Sequence, residues 1–144
     1  MNQHLRIERL DPLHKPLLAR FYRANGGRLR GVSGGSYWVA REVALVGALT
    51  LSPVAGGTWL TGLLVAPEAR GRGIGSSLVR QATAGTGGPV WLFCEPTLLD
   101  FYAPLGFECA TDLPAELSAR LVRYRASKRL IALGYAHRNE DSNR

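Results

Sequence analysis

The chain has 144 residues, enough for one domain whose hydrophobic core needs no disulfide or metal to hold it together. Its apolar fraction of 46% excludes a disordered chain, and no apolar run approaches the ~20 residues of a membrane span. The net charge is +7, but from Arg120 onward there are seven basic and two acidic residues, so we expect a basic C-terminal segment and no nucleic-acid-binding surface across the domain.

The first residues predict a strand followed by a helix. LRIERL (5–10) alternates apolar and polar residues, as a short half-buried strand does. DPLHKPLLARFYRAN (11–25) predicts a helix, because Asp11 is a good N-cap and apolar residues recur at helical spacing. The pair Gly26-Gly27 ends this helix, and a loop follows.

The middle of the sequence predicts an antiparallel meander of three strands. SYWVARE (36–42) and VALVGALTLS (43–52) form a hairpin. PVAGG (53–57) turns the chain into the third strand, TWLTGLLVA (58–66). Gly62 lies inside that strand, where a glycine marks a bulge or a close backbone approach.

Helices and strands alternate through the rest of the sequence. Apolar residues at helical spacing predict a helix over 73–84. PVWLFCE (89–95) is a nearly continuous apolar strand, as in a sheet that is covered on both faces. The remaining predicted elements are a short helix (97–106), a strand (107–110), a helix (114–127) and a strand (129–135). This order predicts the α+β class with a mixed, mostly antiparallel sheet.

The stretch VAPEARGRGIG (65–75) lies where the third strand of the meander gives way to a helix. A helix N-terminus carries free N–H groups and a partial positive charge, and glycine lets an anion approach the backbone closely. Arg70 and Arg72 add charge-assisted contacts, so the stretch indicates a phosphate or pyrophosphate site. Neither the Rossmann nor the P-loop pattern fits, and an ordinary strand–helix turn is the alternative.

The run from Leu63 to Leu78, L-x-V-x-P-E-x-R-G-x-G-I-G-S-x-L, resembles the coenzyme A loop of the GNAT superfamily of N-acetyltransferases. FYAPLGFE (101–108) is similar to the F-Y-x-x-x-G-F signature after the family's fifth strand. The resemblance implies the GNAT acyl-CoA N-acyltransferase fold, with about seven strands that are flanked by helices and splay apart between the fourth and fifth. It also implies a single domain over 1–136, followed by a polar tail at 137–144.

The resemblance implies acetyl-CoA as cosubstrate and no metal. The pantetheine arm would pair with the backbone of the fourth strand of the chain (58–66), which is the third of the meander. The pyrophosphate would rest on the amides of the glycine loop, which is the stretch from Arg70 to Ser76. The thioester carbonyl would accept a hydrogen bond from a backbone N–H near Leu64 or Val65, which acts as an oxyanion hole. The implied coenzyme-binding residues are Leu63, Leu64, Val65, Arg70, Gly71, Arg72, Gly73, Ile74, Gly75 and Ser76.

The implied reaction is direct attack of a primary amine, from a small molecule or a peptide, on the acetyl thioester. Tyr102 matches the family's proton donor to the leaving thiolate, and packing between helix and sheet is its alternative role. Glu95, at the end of the fifth strand, is the candidate general base, and a surface carboxylate is the alternative. Glu42 and His14 are weaker candidates, while Cys94 is expected to be a buried apolar residue and no nucleophile.

No motif identifies the acceptor amine. Arg23, Arg28 and Arg30 suit an acceptor that bears a carboxylate or a phosphate. The aromatic residues that either line its site or pack in the core are Phe21, Tyr22, Tyr37 and Trp38.

Two other classes of function stay open. An acetyl-CoA sensor that acts through a protein partner is one, because the fourth strand lacks the Glu that many family members place there. A basic C-terminus that binds nucleic acid is the other, although aromatic residues for base stacking are sparse there.

The expected partners and compartment follow from composition. We expect no nucleic acid, no membrane, and a monomer or a homodimer, in which the strand at 129–135 could be an exposed edge that pairs between protomers. The N-terminal residues contain no apolar segment, so we expect no signal peptide. The two cysteines lack CxxC spacing, which favours a cytoplasmic protein.

Overall fold

The computed structural model describes residues 4–29 and 34–135. Arg30 and the predicted tail at 137–144 therefore lie outside the described residues. The chain divides into unit 1, Met1–Pro53 with Leu60–Gly85, and unit 2, Val54–Trp59 with Thr86–Arg144. The prediction of a single domain over 1–136 stays a prediction.

The helices and strands follow the predicted order. They are β1 (Arg6–Arg9), α1 (Lys15–Ala24), β2 (Ser36–Arg41), β3 (Leu45–Val54), β4 (Gly57–Val65), α2 (Ile74–Ala84), β5 (Val90–Cys94), α3 (Leu99–Tyr102), β6 (Glu108–Cys109), α4 (Ala115–Arg125) and β7 (Ile131–Tyr135). The predicted helix over 11–25 begins as a 3-10 turn, Pro12–His14, which Asp11 caps by accepting a hydrogen bond from the Leu13 amide. The predicted turn over 53–57 is shorter, because β3 and β4 continue to either side of it.

The strands form one mixed sheet in the order β1-β2-β3-β4-β5-β7-β6, which confirms the predicted class. The pairs β1–β2, β2–β3, β5–β7 and β6–β7 are antiparallel, whereas β4 and β5 are parallel. The parallel pairing joins Thr58 to Val90 and Trp59 to Trp91. This ladder is short, because β4 has nine residues. The splay of the two strands beyond these pairs stays a prediction.

The expectation that 129–135 forms an exposed edge strand is wrong. β7 lies between β5 and β6: it pairs along its whole length with β5, and through Leu133 and Gly134 with β6. Its backbone groups are therefore used within unit 2, and a homodimer cannot form by adding a second copy to β7.

Unit 1 has its core between the sheet and α2, which packs against β1 and β2. The predicted apolar face of α2 is buried, with Leu78 and Val79 fully inaccessible. Ile74, in the first turn, is 2% exposed, and its Cγ2 lies 3.4 Å from the position that a Cβ on Gly47 would take. The start of α2 is thus fixed against β3.

Unit 2 has a core in which α4 covers two tryptophans. Val54, Trp59, Trp91 and Leu117 form one buried cluster. The buried side chains of α4 are Leu117 and Leu121. Tyr124 is 39% exposed, and its ring meets the edge of the partly buried Phe93.

Gly106 explains the glycine of the F-Y-x-x-x-G-F signature. It has φ +100°, and with the Phe107 amide donating to the Tyr102 carbonyl (3.3 Å) it ends the helical segment after α3. A Cβ at Gly106 would lie 2.6 Å from the Tyr135 ring. Both the backbone angle and the neighbouring ring therefore require glycine here.

Gly106→Ala is expected to lower the free energy of unfolding by roughly 2 kcal/mol or more, because an L-residue in this conformation is strained and the Tyr135 ring must move. Urea unfolding measures the loss. Gly87→Ala is the matched control, because Gly87 has no positive φ and the space around its Cβ position is open. Equal stability of the two variants would contradict this account.

Candidate functional site

The glycine loop between β4 and α2 exposes backbone amides beside open space. Gly71 and Gly73 both have φ +78°, a conformation that glycine tolerates and side chains disfavour. Apart from the glycine itself and its chain neighbours, no heavy atom of the described residues lies within 4 Å of the position of a Cβ at either residue. The Ser77 amide makes the first helical bond, to the Gly73 carbonyl (3.0 Å), so the amides of residues 74–76 have no partner within the helix. The loop can therefore receive an anion.

The two arginines of this loop contact protein groups in the structure. Arg70 Nε donates to the Val65 carbonyl, 3.1 Å away. Arg72 forms an ion pair with Glu42 through both terminal nitrogens, and this contact raises the pKa of the Arg72 guanidinium. Glu42 is consequently engaged as a partner of Arg72, which argues against its weaker candidacy as a general base.

The end of β4 carries the residues that were predicted to bind the pantetheine arm. The Ala66 amide donates to the Val46 carbonyl of β3 (2.8 Å). Because backbone polar groups alternate along a strand, those of Val65 face the edge of β4 that β3 does not use. The contact of Arg70 with the Val65 carbonyl agrees with that direction. Between Leu64 and Val65, the structure thus favours the Val65 N–H as the available donor.

Tyr22 forms a contact with β4 that sequence reasoning missed. Its hydroxyl donates to the Gly62 carbonyl (2.6 Å), where Gly62 has φ +72°, and Thr50 hydrogen-bonds to the same hydroxyl. This confirms the predicted close approach at Gly62. Gly27, just after α1, lies against Tyr22 and Leu64, so the end of α1 is attached to β4. The glycine inside the strand was the only signal of this contact.

The aromatic residues proposed for the acceptor site mostly pack in the core. Phe21, Tyr22 and Tyr37 are 7% exposed or less, whereas Trp38 is half-buried. Arg23 and Arg28 are exposed, and within the described part of the chain neither forms an ion pair. The arginines, more than the aromatics, are thus available to a ligand.

In unit 2, Tyr102 is buried between two phenylalanines. Its ring meets the edges of Phe101 and Phe107, with centroids 4.8 and 5.6 Å away. Within residues 4–29 and 34–135 its hydroxyl has no hydrogen-bond partner, and no fully buried polar atom there is unpaired, so the hydroxyl oxygen reaches solvent. Burial, with a smaller contribution from Cys94, raises the pKa of this phenol, which keeps its proton at neutral pH.

Glu95 directly follows β5 and begins the 3-10 turn Pro96–Leu98, where its carbonyl accepts from the Leu98 amide (2.9 Å). Its side chain is exposed, and no hydrogen bond or ion pair holds the carboxylate in the described part of the chain. Cys94 is 5% exposed, as expected, and burial raises the pKa of its thiol, which disfavours the thiolate. His14 lies in the exposed turn before α1.

Burial raises the pKa of both Tyr22 and Tyr102, which makes stability depend on alkaline pH. An unfolded tyrosine loses its proton near pH ~10 while the folded one retains it, so stability is intact below that pH and falls above it. In Tyr22→Phe, the loss of unfolding free energy between pH 10 and 11 is expected to be smaller by up to ~1.4 kcal/mol. Urea unfolding measures it, and identical pH slopes for the two proteins would refute it.

The charge is distributed unequally between the two units. Unit 1 contains eleven Lys and Arg but only four Asp and Glu, whereas unit 2 contains seven of each kind. The basic residues from Arg120 onward all belong to unit 2. The acidic residues of the same unit balance their charge, so the excess positive charge of the chain lies in unit 1. Three of the four acidic residues of unit 1 are already hydrogen-bonded, namely Glu8, Asp11 and Glu42.

Two further properties concern the described residues only. Within 4–29 and 34–135, no three His, Cys, Asp or Glu side chains are grouped so that they could hold a metal ion. The helices in these ranges are all too short or too polar to cross a membrane.

The chain matches the family described as "Acetyltransferase (GNAT) domain" over residues 33–109. A comparison with curated protein sequences gave no match. Among solved structures, the fold is similar to an N-acetylglutamate synthase from Neisseria gonorrhoeae complexed with coenzyme A and N-acetyl-glutamate (20% identity, TM-score 0.69). The match covers 96% of this chain but only 36% of that one.

Two smaller proteins match over nearly their whole length. An acetyltransferase of the GNAT family from Staphylococcus aureus Mu50 is 16% identical, with a TM-score of 0.63, and 92% of this chain matches 98% of that one. The PaiA N-acetyltransferase from Thermoplasma acidophilum, complexed with coenzyme A, is 15% identical with a TM-score of 0.65, and 95% of this chain matches 100% of that one. At these identities the similarity shows the fold, and it confirms the predicted one.

Proposed function

This chain belongs to the GNAT acetyltransferase family, whose domain matches more than half of it, and we propose that it transfers the acetyl group of acetyl-CoA to a primary amine of a small molecule or peptide. The observation that carries the proposal is the glycine loop before α2. There, free amides at a helix start lie beside open space over Gly71 and Gly73.

The residues of the loop and of β4 fit the coenzyme. The amides of Gly71 to Ser76 bind the pyrophosphate, while the buried Ile74 side chain fixes the loop against β3. The backbone of Leu63 and Val65 pairs with the pantetheine arm as an added strand would. The Val65 N–H donates to the thioester oxygen, where negative charge develops. The coenzyme supplies an acetyl group already activated as a thioester.

The acid and the base are proposed on unit 2. Tyr102 donates its proton to the departing thiolate. Burial raises the pKa of this phenol, so the hydroxyl is protonated at neutral pH, and it has no hydrogen-bond partner among the described residues. Glu95 accepts a proton from the substrate ammonium, directly or through water, so that the neutral amine attacks the thioester; the carboxylate has no competing partner in the described structure. The amine nitrogen forms the new bond to the acetyl carbon as the carbon–sulfur bond breaks.

For the acceptor, we propose an amine that also bears a carboxylate or a phosphate. The basic character of unit 1 supports this, as do the exposed Arg23 and Arg28, which form no ion pair with any described residue. A polyamine would meet like charge on this unit. Residues 1–136 are proposed to act as one catalytic domain in the cytoplasm, as a monomer or a homodimer.

The test measures thiol release from acetyl-CoA with amino acids, amino-sugar phosphates, polyamines and lysine peptides, beside calorimetric binding of acetyl-CoA. Binding with release that depends on a carboxylated or phosphorylated amine supports the whole proposal. Comparable turnover of polyamines would refute the proposed class of acceptor but not the proposed acetyl transfer. Binding without release from any amine would favour the acetyl-CoA sensor, and absence of binding would refute both.

A further inference from the structure

We infer that Glu42 is a positioning residue that holds Arg72 in the orientation in which Arg72 binds the coenzyme pyrophosphate. The inference rests on the proposed function, since it assigns a role within that coenzyme site. It concerns only residues of unit 1.

The backbone places Glu42 beside the glycine loop. The register between β2 and β3 shifts at Ala40/Arg41, immediately before Glu42, and such bulges redirect the side chains next to them. The Glu42 amide then donates to the Ala44 carbonyl (2.9 Å), which fixes the turn. The Glu42 side chain is only 12% exposed, so it is directed onto the protein and away from bulk water.

The ion pair uses only part of the guanidinium. Arg72 Nη1 donates to Glu42 Oε1 (3.4 Å), and Nη2 donates to Oε2. A guanidinium has five N–H donors, and this end-on contact uses one on each terminal nitrogen. Among the described residues, the Nε–H and one N–H on each terminal nitrogen have no partner. The Nε–H and the terminal N–H on its side form a fork that binds a phosphate with two hydrogen bonds. The Arg72 side chain is 40% exposed, so this fork is accessible.

Arg72 needs such a restraint because of its neighbours in the chain. It lies between Gly71 and Gly73, and the space around the Cβ position of each glycine is open in the described part of the chain. A long side chain on a flexible backbone loses much conformational entropy when it binds an anion. The Glu42 carboxylate restricts that freedom before the coenzyme arrives. Arg70 is restrained differently, by the Val65 carbonyl.

The experiment is a double-mutant cycle on calorimetric affinity for acetyl-CoA with wild type, Glu42→Gln, Arg72→Ala and the double variant. Glu42→Gln is expected to raise the dissociation constant roughly 3- to 10-fold in the wild type, the scale of the cost of ordering one long side chain on binding. In the Arg72→Ala background it is expected to have no effect, since there is then no arginine to position. Glu68→Gln is the control, an exposed acidic residue on the same loop to which no role is assigned.

The outcomes separate the inference from a general structural effect. Non-additive losses of affinity, with unchanged thermal midpoints of the free proteins, support positioning. Losses of affinity that multiply in the double variant overturn the inference. A Glu42→Gln variant that binds acetyl-CoA as tightly as wild type, or more tightly, also overturns it, because the Glu42 charge would then only oppose that of the pyrophosphate. Wild type that fails to bind acetyl-CoA would instead refute the proposed function.

Discussion

Replacing Gly73 with valine is expected to raise the dissociation constant of acetyl-CoA roughly 10- to 100-fold. The N-cap residue of α2 has φ +78°, which costs an L-residue about 1–2 kcal/mol and a β-branched one more. The valine side chain would also fill the open space into which the free amides donate. Because 1.4 kcal/mol corresponds to a factor of ten in affinity, the two effects together give this range.

Gly85→Val is the matched control at the other end of the same helix. Gly85 has φ −92° and open space around its Cβ position, so valine is tolerated there without strain. Calorimetry with acetyl-CoA on both variants, beside their thermal midpoints, makes the measurement. If both bind as tightly as wild type, the loop before α2 does not bind the coenzyme.

Tyr102→Phe is expected to lower kcat roughly 100-fold and to leave the dissociation constant of acetyl-CoA nearly unchanged. The substitution removes only the hydroxyl, which has no protein partner in the described structure, and it keeps the ring between Phe101 and Phe107. Loss of a general acid typically costs a factor of 10²–10⁴. The thiolate would then depart without a proton from the protein.

The assay for Tyr102→Phe is thiol release at saturating acetyl-CoA as a function of pH. Since burial raises the pKa of Tyr102, deprotonation of this phenol is not expected to lower the wild-type kcat below pH ~10. Tyr124→Phe, which removes the hydroxyl of a half-exposed tyrosine on α4, is the control. A kcat equal to that of wild type would leave Tyr102 with a packing role alone.

The glycine loop could be predicted from sequence because its function depends on local chain properties. Positive φ at Gly71 and Gly73, a helix beginning at Ile74 and an apolar helix face are all consequences of nearby residues. The pairing of Arg72 with Glu42 could not be predicted, because thirty residues separate them in the sequence and they meet only in the tertiary structure. Arginines in such a motif indicate anion binding, but the protein groups that they contact when no anion is bound depend on tertiary structure.

Two other differences have the same origin. Tyr22 is in the core, one of its two expected places, but the hydrogen bond from its hydroxyl to the carbonyl of a glycine forty residues away was not predicted. The strand at 129–135 was expected at an edge because nothing in its pattern shows which strands flank it. Periodicity predicts which face of an element is buried, whereas adjacency in a sheet depends on contacts that are distant in sequence.

The central place of β7 between β5 and β6 has a consequence for biosynthesis. Both neighbours leave the ribosome before Ile131–Tyr135, so the nascent chain holds two strands whose facing edges have no hydrogen-bond partner. The parallel β4–β5 contact can form earlier, but unit 2 closes only when β7 is inserted. A chain whose synthesis ends before residue 131 would therefore be prone to aggregation and a target for chaperones, even though its glycine loop is already complete.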